Sequence, residues 1–192
     1  MTDRLNDLLK SLGIASQLLR DEFIDHCTVS ELPKNTDILV AGKTNASEYI
    51  LVSGVAHRYT VSDKGDPITT GFYGSGAVIT PHFARTQNGR NLFSLQTLTD
   101  AVLAQIPVNQ LDRLRATHAD YREFGQRVLE NELVQALQFA VSFRSFSAKE
   151  RLVAMRTQYP NLENLVPHHI IASYLGITPV SFSRLRHELS RA

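Results

Sequence analysis

Cysteine is almost absent from this chain of 192 residues, and its scarcity excludes several kinds of site. The single Cys27 cannot form a disulfide within the chain. Alone, it cannot hold an iron–sulfur cluster or a zinc ion either. We therefore expect an intracellular protein in which Cys27 is a small apolar residue near a helix end.

Long apolar runs and targeting patterns are also missing. No stretch approaches the ~20 apolar residues that a membrane-spanning helix needs. The N-terminus is amphipathic, contains acidic residues and has no cleavage-site pattern. We expect a cytoplasmic protein with no membrane partner.

The sequence contains none of the common catalytic arrangements. There is no glycine-rich loop leading into a helix, no HExxH helix and no nucleophile elbow. We therefore predict that the protein is not an enzyme and that it holds no metal.

The net charge is weak, but its distribution is uneven. A formal charge of +1 does not by itself indicate a nucleic-acid partner. Residues 1–146 carry 14 Lys and Arg against 16 Asp and Glu, whereas residues 147–192 carry 6 against 3. The last quarter of the chain is therefore the place where a DNA-contacting element is expected.

The pattern of apolar residues changes twice along the chain. Leucines at helical spacing predict two short helices before residue 27. Short β-rich runs separated by turn residues follow, which is typical of a barrel or a sandwich. The predicted strands are 37–41, 49–52, 55–61, 68–73, 91–98 and 101–106.

After Pro107 the pattern is helical to the end. A long helix is predicted over about 120–143, and its apolar stripe is wider than one domain requires. Such a helix is either buried in a larger core or shared with a partner helix, and we favour dimerisation. The capping box at Ser147 and Glu150 begins the next helix. We divide the chain into 1–118, a dimerisation helix over 119–146, and 147–192.

The C-terminal segment predicts a helix-turn-helix. Gly176 can end one helix in a left-handed conformation, and Thr178 can cap the next. Phe182, Leu185 and Leu189 would then hold the second helix against the first. A helical hairpin that only packs is the alternative, but the capped turn and the local positive charge favour DNA binding.

The opposite face of this second helix presents polar and basic side chains. Arg184 is the candidate for a bidentate contact to guanine. The basic residues that we expect near phosphates are Arg186, Arg191, His168 and His169. The remaining candidate DNA-binding residues are Thr178, Val180, Ser181, Ser183 and His187. Adjacent histidines could also suggest a metal site, but they point in different directions on a helix.

Several of these segments resemble the Crp/Fnr superfamily of bacterial regulators, and the resemblance covers nearly the full length. Residues 49–54 resemble the strand-and-glycine motif of its cyclic-nucleotide-binding β-roll, and 63–65 fall at its hairpin. Residues 148–152 resemble the start of the helix after the dimer helix. Residues 171–184 resemble its helix-turn-helix, especially in regulators of the Bacteroidetes type. The resemblance implies an α+β fold: a jelly-roll-like antiparallel β-roll flanked by helices, a long dimerisation helix and an all-α helix-turn-helix domain.

The resemblance also locates a degenerate effector site. Gly74 and Gly76 fall near the conserved glycine turn of the family. Thr80 stands where nucleotide-binding members have the glycine-glutamate pair, and Arg90 and Asn91 fall where they hold the cyclic phosphate. A solvated charge in a turn is the alternative role for Arg90. We expect no cofactor and no response to cyclic AMP, and either another small anion or no ligand.

Two departures concern DNA. Val180 replaces a charged base-reading residue, so the operators of known members do not transfer. The chain ends at Ala192, which leaves no room for the β-hairpin wing of the family. We expect a homodimeric transcription regulator on a near-palindromic operator, with RNA polymerase as a candidate further partner. The alternative is a ligand-binding or protein-interaction module that has lost DNA binding.

Overall fold

The computed structural model describes residues 2–190. Helices lie at both ends of the chain, with short strands between them. The helices are α1 (Thr2–Ser11), α2 (Gln17–Asp25), α3 (His82–Arg85), α4 (Val108–Thr117), α5 (Ala119–Ser145), α6 (Ala148–Gln158), α7 (Leu162–Leu165), α8 (His168–Leu175) and α9 (Pro179–Leu189). No helix within these residues is long and apolar enough to cross a membrane.

The strands pair in antiparallel fashion throughout. They are β1 (Thr28–Leu32), β2 (Asp37–Leu39), β3 (Ser47–Ser53), β4 (Ala56–Val61), β5 (Pro67–Tyr73), β6 (Ala77–Val78), β7 (Thr86–Gln87), β8 (Arg90–Asn91), β9 (Ser94–Thr97) and β10 (Ala101–Pro107). One four-stranded sheet has the order β1-β10-β3-β6 and the other β2-β9-β4-β5, and β7 and β8 form a small hairpin. The predicted α+β fold with an antiparallel β-roll is confirmed.

The two sheets enclose one apolar cluster, to which Leu39, Leu51, Leu95 and Leu103 contribute. These side chains meet because every second side chain of a strand points to the same face of its sheet. Leu51 of β3 lies directly opposite Leu103 of β10. The β-roll therefore has a core of its own.

A second cluster joins the N-terminal helices to the start of α5. Leu5 and Leu9 of α1, Phe23 of α2, and Tyr121 and Phe124 of α5 are all buried in it. The Tyr121 hydroxyl donates to the backbone oxygen of Leu19 at 2.6 Å, which satisfies the polar atom that burial would otherwise leave unpaired. The first turns of α5 are thus part of the N-terminal half. Cys27 packs against this cluster, and burial raises the pKa of its thiol to about 12.

The C-terminal helices form a third cluster that also includes side chains of the β-roll. Leu152, Ile171 and Phe182 are buried together with Val55 and Phe72. The C-terminal helices therefore pack on the outer side of the roll and are not separated from it. The capping box predicted at the start of α6 is present.

The structure differs from the sequence prediction at the short elements. The strand β1 and the short helices α3 and α7 were not predicted, and the strand predicted over 91–98 is interrupted. The chain leaves the hairpin after β8 and enters β9 only at Ser94. One-turn helices and two-residue strands carry too few residues to show a periodicity.

Candidate nucleic-acid interface and sensor pocket

The turn between α8 and α9 is held by hydrogen bonds of both helix ends. Gly176 has φ 67° and ψ 35°, in the left-handed region that glycine adopts without strain. The amide of Ile177 donates to the oxygen of Ala172 at 3.0 Å. The Thr178 hydroxyl accepts from the amide of Ser181 at 3.1 Å, which caps α9. These contacts fix the direction in which α9 leaves the turn.

One face of α9 is buried against α8. Phe182 is 1% exposed, and Leu185 and Leu189 pack beside it on the same cluster. Full burial of such a side chain contributes about 1.5–3 kcal/mol. The rotation of α9 about its own axis is therefore determined by Phe182.

The opposite face of α9 lies on the surface. Val180, Ser181, Ser183, Arg184 and His187 are exposed. Between residues 2 and 190, the Arg184 side chain has no ion-pair or hydrogen-bond partner. The Ser181 hydroxyl lies 3.0 Å from that of Thr178 and belongs to the cap. The structure thus brings most of the predicted DNA-binding residues together on one accessible helix face.

Arg186 and His168, which we expected near phosphates, contact other side chains of the chain. The Arg186 Nε lies 2.9 Å from a carboxylate oxygen of Glu163, and the guanidinium also approaches the His168 ring nitrogens at 3.1 and 3.3 Å. Glu163 binds Arg156 as well, at 2.5 Å. The hydrogen bond from Arg156, followed by the charges of Arg156 and Arg186, lowers the pKa of Glu163. This ion-pair cluster holds α7 to α9 and leaves Arg186 little freedom.

His169 also lies away from the exposed face of α9. It lines a cleft of ≈ 370 Å³ between α8 and the β4–β5 hairpin, together with His57, Thr69 and Ser173. The Ser173 hydroxyl accepts from the backbone amide of Thr69 at 3.0 Å, so α8 is bonded to β5. The predicted Arg191 lies outside the described residues.

The predicted effector residues divide into two groups. Gly74 and Gly76 line a cavity of ≈ 240 Å³ between the β-roll and α5. Thr80 is buried beside it and contacts Tyr73, which also lines the cavity. Arg90 and Asn91 are elsewhere, on the β7–β8 hairpin.

For Arg90 the structure agrees with the alternative role, an exposed charge beside a turn, and Asn91 does not line the cavity either. The Arg90 guanidinium donates to the backbone oxygen of Gly42 at 2.8 Å on the surface. The Asn91 side chain donates to the oxygen of Val40 at 3.1 Å. Both residues therefore fasten the hairpin to the neighbouring loop.

Arg58 lies close to Thr80, although no pattern in the sequence indicated it. Arg58 lies on β4 directly opposite Gly71 of β5. A Cβ atom added to Gly71 would lie 2.7 Å from the Arg58 Nε. Its Nη1 contacts the carboxylate of Glu132 on α5 at 3.2 Å. Burial lowers the pKa of Arg58, but Tyr73 and Glu132 outweigh this and the net shift is upward. Gly71 could have indicated this contact, because a glycine inside a strand often marks a place where another group approaches the backbone closely.

The second half of α5 presents apolar side chains to solvent. Leu129, Leu133, Leu137 and Val141 recur at four-residue spacing and are 39–61% exposed. Beside them, a groove of ≈ 730 Å³ runs between α5 and α6, lined by residues such as Phe146 and Met155. Contiguous exposed apolar surface of this kind marks an interaction site.

Comparison with known proteins finds similarities in sequence. Residues 29–118 match the family model described as the cyclic nucleotide-binding domain. The chain is 27% identical to electron transport regulator A of Shewanella oneidensis and 26% identical to the fumarate and nitrate reduction regulatory protein of Escherichia coli K12, each over 165 residues. Both alignments cover 80% of this chain and 65% of the relative. The chain thus matches less than two thirds of these relatives' length.

Solved structures share the fold over more of the chain. FixK2 of Bradyrhizobium japonicum superposes with a TM-score of 0.73 at 17% identity, covering 86% of this chain and 85% of that one. A regulator of the Crp/Fnr family from Eubacterium rectale gives 0.70 at 15% identity, covering 95% and 86%. Residues 29–118 are thus similar to a cyclic nucleotide-binding domain, and the chain as a whole shares the fold of these solved structures. In sequence, it is similar to the two regulatory proteins.

Proposed function

We propose that this protein is a DNA-binding transcription regulator of the Crp/Fnr type that acts as a homodimer. The observation that carries the proposal is the exposed face of α9, which Phe182 holds outward from the rest of the helix-turn-helix. The names of the relatives, several of which are regulators, support the same function.

Arg184 is the residue that we assign to base recognition. Its guanidinium is accessible, and its planar fork fits the O6 and N7 atoms of guanine together. Such a contact discriminates between bases by roughly 1–3 kcal/mol. Val180, 62% exposed near the start of α9, offers an apolar contact to a thymine methyl group.

The exposed half of α5 supports the proposal of a homodimer. The strip from Leu129 to Val141 would be covered by the same strip of a second copy, as a two-fold axis requires. Two recognition helices that enter successive major grooves lie about 34 Å apart. We therefore propose a near-palindromic operator and a cytoplasmic regulator without a resident metal or cofactor.

The experiment is a binding titration on DNA selected from a random pool. Wild type, Arg184→Ala and Arg113→Ala are compared on the selected site and on random DNA at two salt concentrations. Arg113 is an exposed arginine on α4, so its removal changes the net charge equally. We expect Arg184→Ala to weaken binding to the selected site about 5- to 150-fold, which corresponds to roughly 1–3 kcal/mol.

The control variant should bind both DNAs like the wild type. Equal, salt-insensitive affinity of all three proteins for both DNAs would refute the proposal. It would instead favour a module that acts without DNA.

A further inference from the structure

The contact between Arg58 and Glu132 joins the β-roll to α5 through two partly buried charged groups. Glu132 is 74 residues further along the chain, and both side chains are 23% exposed. The Arg58 Nε also donates to the backbone oxygen of Thr70 at 3.3 Å, and its guanidinium lies 5.7 Å from the Phe93 ring. Contacts within the β-roll therefore hold Arg58 in place independently of α5.

Two donors converge on one oxygen of Glu132. The Thr80 hydroxyl donates to Oε1 at 2.8 Å, and Arg58 Nη1 donates to the same atom at 3.2 Å. Since the single hydroxyl proton of Thr80 is used in this way, the Tyr73 hydroxyl donates to Thr80 at 2.6 Å. A cation and an ordered hydroxyl chain aimed at one carboxylate oxygen are the features of a binding site for an anion.

The donors belong to the β-roll and do not depend on α5. Tyr73 and Thr80 are 7% and 4% exposed, so both hydroxyls are held in place by their surroundings. Gly71 leaves the space into which the Arg58 side chain folds, because an added Cβ would meet its Nε at 2.7 Å. Glu132, by contrast, is carried by a helix whose following residues face solvent.

Next to Glu132 lies the cavity of ≈ 240 Å³ that Tyr73, Gly74, Gln135 and Tyr159 also line. Its volume is below the roughly 300–1,000 Å³ of typical ligand pockets. Arg58 and Thr80 do not line this cavity, so space beside them arises only when Glu132 is shortened. Replacing Glu132 by alanine removes a methylene and a carboxylate group, which is the size of acetate and far smaller than a nucleotide.

We infer that Arg58 and Thr80 form a carboxylate-binding site that Glu132 occupies as a tethered ligand, and that a free small carboxylate takes its place when this side chain is shortened. The site itself does not depend on DNA binding. Its consequence for regulation rests on the proposed function: α5 is locked to the β-roll by a group of the chain itself, without an effector.

The test is chemical rescue of Glu132→Ala. Thermal unfolding is followed in sodium formate, sodium acetate and sodium chloride at equal ionic strength. The variants are wild type, Glu132→Ala, Glu132→Ala with Arg58→Met, and Glu130→Ala. Glu130 is an exposed acid on the same helix that bonds only Gln126 in the described part of the chain, which makes it a matched control.

We expect formate, compared with chloride, to raise the thermal unfolding midpoint of Glu132→Ala in a saturable manner. At about five times its dissociation constant, the rise is about 2–4 °C for a protein of this size. Wild type, Glu130→Ala and the double variant should show no such difference. An equal response of wild type or of the double variant, or none from Glu132→Ala, would overturn the inference.

A second variant covers the case in which Glu132→Ala does not fold. Glu132→Ser also shortens the side chain and removes the charge that faces Arg58, but it keeps a small polar atom in the vacated space. Formate titrated into this variant should shift the Arg58 Nε–H resonance to saturation and leave the wild-type resonance unmoved. Identical behaviour of the two resonances contradicts the inference. Neither experiment contains DNA, so failure here is distinguishable from failure of the proposed function.

Discussion

At the scale of single residues, folding changes the charge state of His57. Its ring is 5% exposed, lies 3.2 Å from the Thr69 hydroxyl and stacks on Tyr59. Burial lowers the pKa of His57 from its ordinary 6.5 to about 4, and the nearby His169 acts in the same direction. Folding therefore keeps this histidine neutral.

The sign of the resulting pH dependence follows from linkage. The unfolded chain takes up a proton on His57 near pH 6.5, whereas the folded chain does so only near pH 4. Above pH 6.5 His57 is neutral in both states and does not lower the free energy of unfolding. As the pH falls from 6.5 towards 4, the free energy of unfolding decreases by up to about 1.4 kcal/mol per pH unit. Urea unfolding of wild type and His57→Gln at pH 7 and pH 5 measures the difference. We expect the wild type to lose more stability than the variant, and equal losses would contradict the assigned burial.

Arg58 and Arg90 show what residue-level prediction can and cannot reach. The family resemblance drew attention to Arg90, yet its side chain binds Gly42 at the surface. The role of Arg58 depends on Gly71 across a strand pair and on Glu132 far along the chain. Pairings of that range are set by tertiary structure, and no local spacing reveals them.

At the scale of elements, the turn at the start of α9 depends on its cap. Replacing Thr178 by alanine removes the acceptor of the Ser181 amide, and we expect a loss of about 1 kcal/mol in the free energy of unfolding. Thr178→Ser keeps the hydroxyl and is the matched control. Urea unfolding of the three proteins checks the prediction, which fails if alanine and serine behave alike.

Elements that local chemistry specifies were predictable from the sequence. The helix-turn-helix carries its own start and stop residues in Gly176 and Thr178, and the cap of α6 is equally local. The strand β1 was missed because none of its five residues is fully buried, so it lacks a strong apolar alternation. It is held by pairing with β10, which lies about 70 residues away.

At the scale of the whole molecule, α5 has two different halves. Its beginning is fixed to the N-terminal core by Tyr121 and Phe124, and Glu132 ties the middle to the β-roll. Its second half contacts the C-terminal helices through Phe139 and Phe143 and also shows an exposed apolar strip. A single helix therefore contacts the N-terminal core, the β-roll, the C-terminal helices and whatever covers the strip.

The proposed dimer makes this last point testable. Leu133 is 61% exposed near the middle of the strip, and an aspartate there would place two charges close to the two-fold axis. Burying them unpaired is costly, so we expect Leu133→Asp to sediment at the monomer mass of 21.5 kDa and the wild type at about twice that mass. Val61→Asp, at a residue 60% exposed on the β4–β5 hairpin, introduces the same charge away from the strip and should remain dimeric.

If all three proteins have one mass, the strip is not the dimer interface. If Leu133→Asp alone dissociates, its affinity for the selected DNA should fall as well, because one recognition helix cannot occupy both half-sites.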